Sequence, residues 1–171
     1  MAHGSESPSS WVARWAALVK QGPVLDVASG AGRHARFFAE RNLAVVAVDR
    51  QPQSIPNVKF VQADLEDGSP WPFPGERFGA IVVTNYLHRP LLPMIGASLG
   101  AGGVLIYETF MIGNERYGKP ANPNFLLRPG ELLQSFAELT VLGFEQGTTG
   151  SAVVQRMCAI RGEASSARIP A

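Results

Sequence analysis

The run Val24-Leu25-Asp26-Val27-Ala28-Ser29-Gly30-Ala31-Gly32-Arg33-His34-Ala35 joins three different sequence patterns. Val24–Val27 reads as a short buried strand. Arg33–Arg41 reads as a helix with Ala35, Phe38 and Ala39 on its apolar side. Between them, Ala28 to Gly32 carry side chains small enough for a ligand to approach the backbone and for the helix N-terminus to face it. Strand, small-residue turn and helix form the opening unit of an open parallel sheet, where ligands bind beyond the carboxyl ends of the strands. Taken alone, Gly30-x-Gly32-x-x-Ala35 is a weak motif that also matches a dinucleotide fingerprint.

The same alternation runs through the rest of the chain. Ser9 or Ser10 can cap a helix carrying Trp11, Val12, Trp15, Leu18 and Val19 at helical spacing, ended by Gly22-Pro23. Leu43–Val48 is a continuous apolar run closed by Asp49 and predicts a second strand. Pro52 and Pro56 leave room for one helical turn at most before a third strand, Val58–Ala63, ending at Asp64. A loop with Pro70, Pro72 and Pro74 leads to a fourth strand, Phe78–Thr84. Leu91–Leu99 predicts a helix, Gly100–Gly103 a turn, and Val104–Phe110 a fifth strand. The long connection Met111–Arg128 precedes a helix over Pro129–Glu138 with proline in its first position. Leu139–Gln146 and Ala152–Ile160, joined through Gly147–Gly150, predict a closing hairpin. The pattern is that of a doubly wound α/β sheet. Residues 9–161 are expected to form one domain, with 1–8 and 162–171 as flexible termini.

Composition narrows the function classes. The chain has 171 residues, with 15 Lys+Arg against 14 Asp+Glu and only 17% charged residues. That is too little charge for a disordered chain. The three lysines, Lys20, Lys59 and Lys119, and the scattered arginines form no basic run, so a nucleic-acid partner is not expected. The lone Cys158 excludes an intrachain disulfide and a thiolate zinc cluster, and His3 and His34 lack ligand spacing, so no metal is expected. The polar Met1–Ser10 segment lacks the layout of a signal peptide, which gives a cytoplasmic expectation. Pro90–Tyr107 carries no charge, but its prolines and glycines fit a helix, a turn and a buried strand better than a membrane span.

The predicted strand ends gather the chemistry at one sheet edge. They are Asp26–Gly32, Asp49-Arg50, Ala63-Asp64-Leu65, Asn85-Tyr86-Leu87-His88 and Glu108-Thr109. Asp49 can accept both hydroxyls of a ribose, and Asp64 can accept from an exocyclic adenine amine. Asp26 can meet a ligand's cationic group or hold the loop. Trp11 and Trp15, four apart on one helical face, either pack in the core or cover the cofactor.

These motifs, together with Phe78-Gly79-Ala80-Ile81-Val82-Val83 and Leu99 to Glu108, resemble in order and spacing those of class I S-adenosylmethionine-dependent methyltransferases. The resemblance spans roughly Trp11 to Ile160, and is nearest to small bacterial enzymes of the tellurite and thiopurine type. It implies a Rossmann-like α/β/α sandwich with a seven-stranded sheet, mostly parallel with a reversed last strand. It also implies S-adenosyl-L-methionine as cofactor, with the methionine part at Ala28, Ser29, Gly30 and Gly32. The ribose falls to Asp49 with Arg50, the adenine to Ala63, Asp64 and Leu65, and Trp11, Asp26 and Asn85 complete the cofactor set. Ala28 departs from the family's frequent glycine and Gly79 from its frequent aspartate. Methyl transfer needs mainly alignment of donor and acceptor. Where a base is used, His88 and Glu108 are the candidates, and Tyr86 or Tyr107 can orient the acceptor.

A small-molecule acceptor of partly apolar character is expected, bordered by Trp11, Tyr86, Leu87, Tyr107, Phe110 and the Met111–Arg128 loop. Two rival readings stand beside this one. A nicotinamide oxidoreductase would account for the glycines and Asp49 but not for Asp26, Asp64 or the hairpin. A non-catalytic binding module would not need the acids at three successive strand ends.

Overall fold

A computed structural model describes residues 6–171, so Met1–Ser5 of the expected N-terminal tail, His3 among them, lie outside the described residues. The elements in chain order are α1 (Ser10–Trp15), β1 (Val24–Val27), α2 (Arg33–Ala39), β2 (Val45–Asp49), β3 (Lys59–Gln62), β4 (Phe78–Thr84), α3 (Leu92–Ala97), β5 (Leu99–Phe110), α4 (Glu131–Ser135), β6 (Thr140–Thr148) and β7 (Val153–Ile160). They build a seven-stranded sheet in the order β3-β2-β1-β4-β5-β7-β6. Pairing from β3 through β5 is parallel, and β7 runs antiparallel to both β5 and β6. The expected Rossmann-like sheet with its reversed last strand is therefore what the chain forms. Strand order reverses at β1, which pairs with β2 on one side and β4 on the other, and this is where such sheets hold ligands.

Side chains alternate between two cores, as the period of a strand requires. Val24, Ala80, Val82, Ile106 and Cys158 face α1 and α2, packing with Trp11, Trp15, Ala35 and Phe38. Leu25, Val27, Ile81, Val83, Leu105 and Tyr107 face the other way, toward Leu92 and Ile95 of α3, Leu132 of α4 and Phe136 just after it. The Pro-rich segment before β4 takes the place of a helix on that second face. Trp71, Phe73 and Phe78 stack edge to face there, and Trp71 Nε1 donates to Ser98 Oγ at 3.1 Å. Gly79 is fixed by close approach of backbone, since a Cβ there would stand 2.0 Å from the Gln21 carbonyl oxygen. The family's frequent aspartate has no room at this position.

Several predicted boundaries move. The fifth strand starts at Leu99 rather than Val104, because Leu99 pairs with Phe78 before Gly100–Gly103 bulge out and Val104 pairs with Ala80. The last helix starts at Glu131 rather than Pro129. Gly130, at φ +70°, turns the chain into it from the left-handed region. The Met111–Arg128 connection holds two single 3₁₀ turns, Asn114–Arg116 and Pro123–Phe125, and folds back so that Met111 bridges to Leu127. Among the described residues no helix is long and apolar enough to cross a membrane.

Candidate active site

The turn after β1 alternates into the left-handed region at Ala28 (φ +54°), Gly30 (φ +54°) and Gly32 (φ +85°). The non-glycine Ala28 stores strain there, on the order of 1 kcal/mol. At Gly30 a Cβ would meet open space, whereas at Gly32 it would lie 2.3 Å from Ile55 Cδ1. Gly32 is thus held by packing beneath the turn, while Gly30 lies at its open surface.

Asp49 ties this turn to β2. Its Oδ2 accepts from the Gly30 amide at 2.9 Å and its Oδ1 from the Gln51 amide at 2.9 Å. Each carboxylate oxygen keeps a second lone pair for a ligand hydroxyl. Asp64 closes a local turn, its Oδ1 accepting from the Glu66 amide at 2.9 Å. Asn85 leaves β4 with φ +53°, and its amide donates to the Glu108 carbonyl. Tyr107 lies fully buried below and donates through its hydroxyl to the Tyr86 carbonyl at 2.9 Å, fixing the exit of β4.

These groups open onto two cavities. One, of about 580 Å³, is lined by Asp49, Arg50, Ala63, Asp64, Leu65 and Glu66, and continues past Tyr86 and Leu87 to Thr109, Phe110, Pro120 and Phe125. The other, of about 720 Å³, lies over Ser29–Gly32 with Arg33, His34, Arg36, Thr84 and Glu6 around it. They meet at Ala28 and Asn85, the two residues that leave β1 and β4 in left-handed conformation. Ser29 Oγ is buried beside the second cavity and has no hydrogen-bond partner in the protein. An acid-lined cavity joined to one floored by backbone and an unsatisfied hydroxyl fits an elongated ligand with a nucleoside at one end and a small polar tail at the other.

Not every expected residue lines this space. Ala28, Ser29, Gly30, Gly32, Asp49, Arg50, Ala63, Asp64, Leu65, Asn85 and Tyr86 do. Trp11 does not: it sits in the core beneath, its Nε1 donating to the Met157 carbonyl at 3.2 Å. Glu108 does not either. Strand parity puts it on the α1–α2 face with Ile106, and its Oε2 lies 2.5 Å from Arg156 Nε. Asp26 is buried under the turn, where its Oδ2 accepts from the Ala35 amide of α2 at 3.0 Å. Burial pushes its carboxyl up from 3.8 to about 7, and the nearby Asp49 adds to this against the opposing Ala35 hydrogen bond. His88 stands at the rim, its Nδ1 3.5 Å from Glu66 Oε1. Tyr86 is raised well above the ordinary phenol range by burial and by Glu66, so its hydroxyl stays protonated.

Sequence reasoning passed over four contributors from three places in the chain. Glu66 reaches the cavity because Asp64 turns the chain beneath it. Phe125 and Pro120 arrive from the long loop, whose fold no local pattern specifies. His34 is the fourth. Its Nε2 accepts from the Ser9 amide at 3.0 Å, strapping the start of α1 across the glycine turn, and burial holds the imidazole down at about 4.

The family described as "Methyltransferase domain" matches residues 24–97, which run from β1 to the end of α3. No curated protein matches the chain in sequence. Among solved structures, TehB from Haemophilus influenzae superposes with a TM-score of 0.73 at 16% identity, over 90% of this chain and 62% of TehB. The chain thus spans less than two thirds of that protein. The glycopeptide N-methyltransferase MtfA, solved with S-adenosyl-L-homocysteine, gives 0.61 at 16% identity over 91% of this chain and 90% of its own. The 1,6-didemethyltoxoflavin-N1-methyltransferase from Burkholderia thailandensis, with 1,6-didemethyltoxoflavin and S-adenosylhomocysteine bound, gives 0.62 at 21% identity over 89% of this chain and 76% of its own. At these identities the likeness is one of fold, while the family match covers β1 to α3, the stretch that carries the glycine turn and the acid-lined strand ends. Residues 24–97 thus match a methyltransferase-domain family, and the chain as a whole shares its fold with solved methyltransferases, among them one with S-adenosyl-L-homocysteine bound.

Proposed function

We propose that the chain transfers a methyl group from S-adenosylmethionine to a small-molecule acceptor. The observation that carries this reading is the meeting of the two cavities at Ala28 and Asn85. Asp49 and Arg50 hold the ribose, and Ala63, Asp64 and Leu65 hold the adenine, in the acid-lined cavity. The Ser29 hydroxyl and the Gly30–Gly32 backbone hold the methionine tail, with Arg33 and Arg36 near enough to meet its carboxylate. When bound, the sulfonium supplies an activated methyl group whose transfer needs alignment more than acid–base assistance. Asn85 and Tyr86 then face the acceptor across the junction. The protonated Tyr86 hydroxyl orients the acceptor by hydrogen bonding, and His88 with Glu66 takes up a released proton at the rim. Glu108, engaged by Arg156, holds β5 to β7 and stays outside the chemistry. Residues 9–161 serve as one catalytic domain.

Titration calorimetry with S-adenosylhomocysteine, with NAD as control, tests the cofactor assignment. Asp49→Ala is expected to weaken S-adenosylhomocysteine by about 2–3 kcal/mol through lost charge-assisted contacts. Unchanged affinity would exclude Asp49 from the ribose site, and preferential binding of NAD would overturn the cofactor. Methyl label from tritiated S-adenosylmethionine incubated with fractionated cell extract should appear in the low-molecular-weight fraction. Label in RNA or protein would refute the small-molecule acceptor.

A further inference from the structure

Phe125 presents an exposed aromatic ring on a frame that hardly lets it move. The residue is 47% exposed yet lines the acid-lined cavity. The carbonyls on either side of it are both taken by one guanidinium: Arg89 Nη1 donates to the Asn124 oxygen at 3.1 Å and Nη2 to the Leu126 oxygen at 2.8 Å. The same Arg89 forks onto Glu131, with Nε to Oε2 at 2.7 Å and Nη2 to Oε1 at 2.9 Å. Glu131 is buried, and its Oε1 also accepts from the Arg128 amide. Next to the ring, Leu126 and Leu127 are buried, and the Asn122 side chain accepts from the Asn124 amide. Pro120, the other loop residue on the cavity, has its carbonyl held by buried Asn114 at 3.0 Å. The loop is a fixed wall. Arg89 also follows directly on Asn85–His88, so one side chain sets the spacing between the β4 exit and the loop.

A wall of this kind leaves apolar surface for an occupant to cover. Tyr86, Phe110 and Phe125 all contribute rings to this cavity. With Asp49, Arg50 and Asp64 engaged by the cofactor, the charged side chain left on this cavity is Glu66, beside Tyr86, which disfavours an anion. Resting on the methyltransferase reading above, we propose that this end of the cavity takes a planar aromatic or heteroaromatic acceptor, neutral or cationic, and that Arg89 is the positioning residue that holds Phe125 against it. On transfer, a lone pair on the acceptor's nitrogen or oxygen forms the new bond to the methyl carbon. The carbon–sulfur bond breaks with its electron pair left on sulfur, and the proton lost by the acceptor passes to His88 with Glu66.

The test is calorimetric binding to the full chain saturated with S-adenosylhomocysteine, well below the melting temperature of every variant. The probes are naphthylmethylamine, its saturated decahydro counterpart and naphthoate, which separate planarity from bulk and charge. Naphthylmethylamine should bind roughly tenfold tighter than either of the others. Phe125→Ala and Arg89→Lys should each remove most of that preference while S-adenosylhomocysteine affinity holds within about twofold. Lysine cannot reach both carbonyls and the carboxylate at once. Phe125→Tyr, which keeps the ring, should retain the preference, as a merely structural defect would not allow. Equal or tighter binding of the saturated amine or of naphthoate overturns the proposal, as does an undiminished preference in Phe125→Ala and Arg89→Lys. If wild-type protein fails to bind S-adenosylhomocysteine at all, the methyltransferase reading falls and takes this proposal with it. Cofactor binding without ring preference overturns the acceptor class alone.

Discussion

Replacing Asp26 by asparagine should make the protein more stable at neutral and alkaline pH while leaving it unchanged in acid. The carboxyl is 2% exposed, accepts from the Ala35 amide, and has its pKa raised from 3.8 to about 7, chiefly by burial. In the unfolded chain the group ionises near its ordinary value. Between those two values the folded state therefore binds more protons than the unfolded one, and stability falls as pH rises. Each unit is worth 1.36 kcal/mol, so a rise of about three units sets a ceiling of about 4 kcal/mol above pH 7. Asparagine mimics the protonated acid: its carbonyl oxygen still accepts from Ala35, and its amide donates where the carboxyl proton did. Urea unfolding of both proteins at pH 4, 5, 6, 7 and 8 checks this. The stability difference should be near zero at pH 4, grow through pH 5 and 6, and level off above pH 7. All other titrating groups are shared, so their contributions cancel in the difference. Two parallel curves, with a gap independent of pH, would refute the assignment of a neutral buried carboxyl under the glycine turn.

Gly79→Ala should destabilise by more than about 2 kcal/mol, or prevent folding, because its Cβ would drive into the Gln21 carbonyl; thermal melting that matches wild type would show that β4 can shift away. His34, held at about 4 against an ordinary 6.5, stabilises fully above pH 6.5, and that contribution is lost as pH falls toward 4. Melting temperatures at pH 7 and pH 5 should therefore differ less in His34→Gln than in wild type, and an equal drop would remove the imidazole from the acid response. Gly32→Ala, at φ +85° and against Ile55, should lower stability by about 1–3 kcal/mol and weaken S-adenosylhomocysteine, whereas Gly30→Ala should chiefly weaken the ligand. A pair of variants that behave alike by urea unfolding and calorimetry would contradict the division between packing and binding glycines.

The strand order carried no local signal, and the reversed β7 followed from the family resemblance, supported by the glycine-rich link between two closing strands. The strands and the glycine turn were legible because each has a local signal, apolar runs of strand length and small residues between strand and helix. Asp49, Asp64 and Asn85 were legible for the same reason, since each ends a strand at the ligand edge of the sheet. Glu108 also ends a strand. There the missing information was parity, because Tyr107 and Thr109 turn to one face and Glu108 to the other, where β7 supplies Arg156. Trp11 fits the spacing of a covering aromatic equally well as that of a core residue, and only packing against β7 distinguishes them. Arg89 brackets Phe125 through the carbonyls of Asn124 and Leu126, 35 and 37 residues further along the chain. No periodicity encodes such a contact, so the acceptor wall stayed invisible until the loop was seen folded.

The place of β7 has a consequence for how this chain comes off the ribosome. It is the last strand in sequence, but it sits inside the sheet, between β5 and β6. Until residue 160 has cleared the exit tunnel, β5 keeps one open edge along Val104–Phe110, and β6 has no partner. At about 5–20 residues per second, the interval from the end of β5 to the end of β7 lasts roughly 3–10 seconds, longer than most elementary folding events. During that time the half-sheet β3-β2-β1-β4-β5, which carries the glycine turn and the strand-end acids, can assemble with an apolar, unpaired border exposed to other nascent chains. The acid-lined end of the site is thus built early, and its neighbouring edge stays sticky until the final strand slots in.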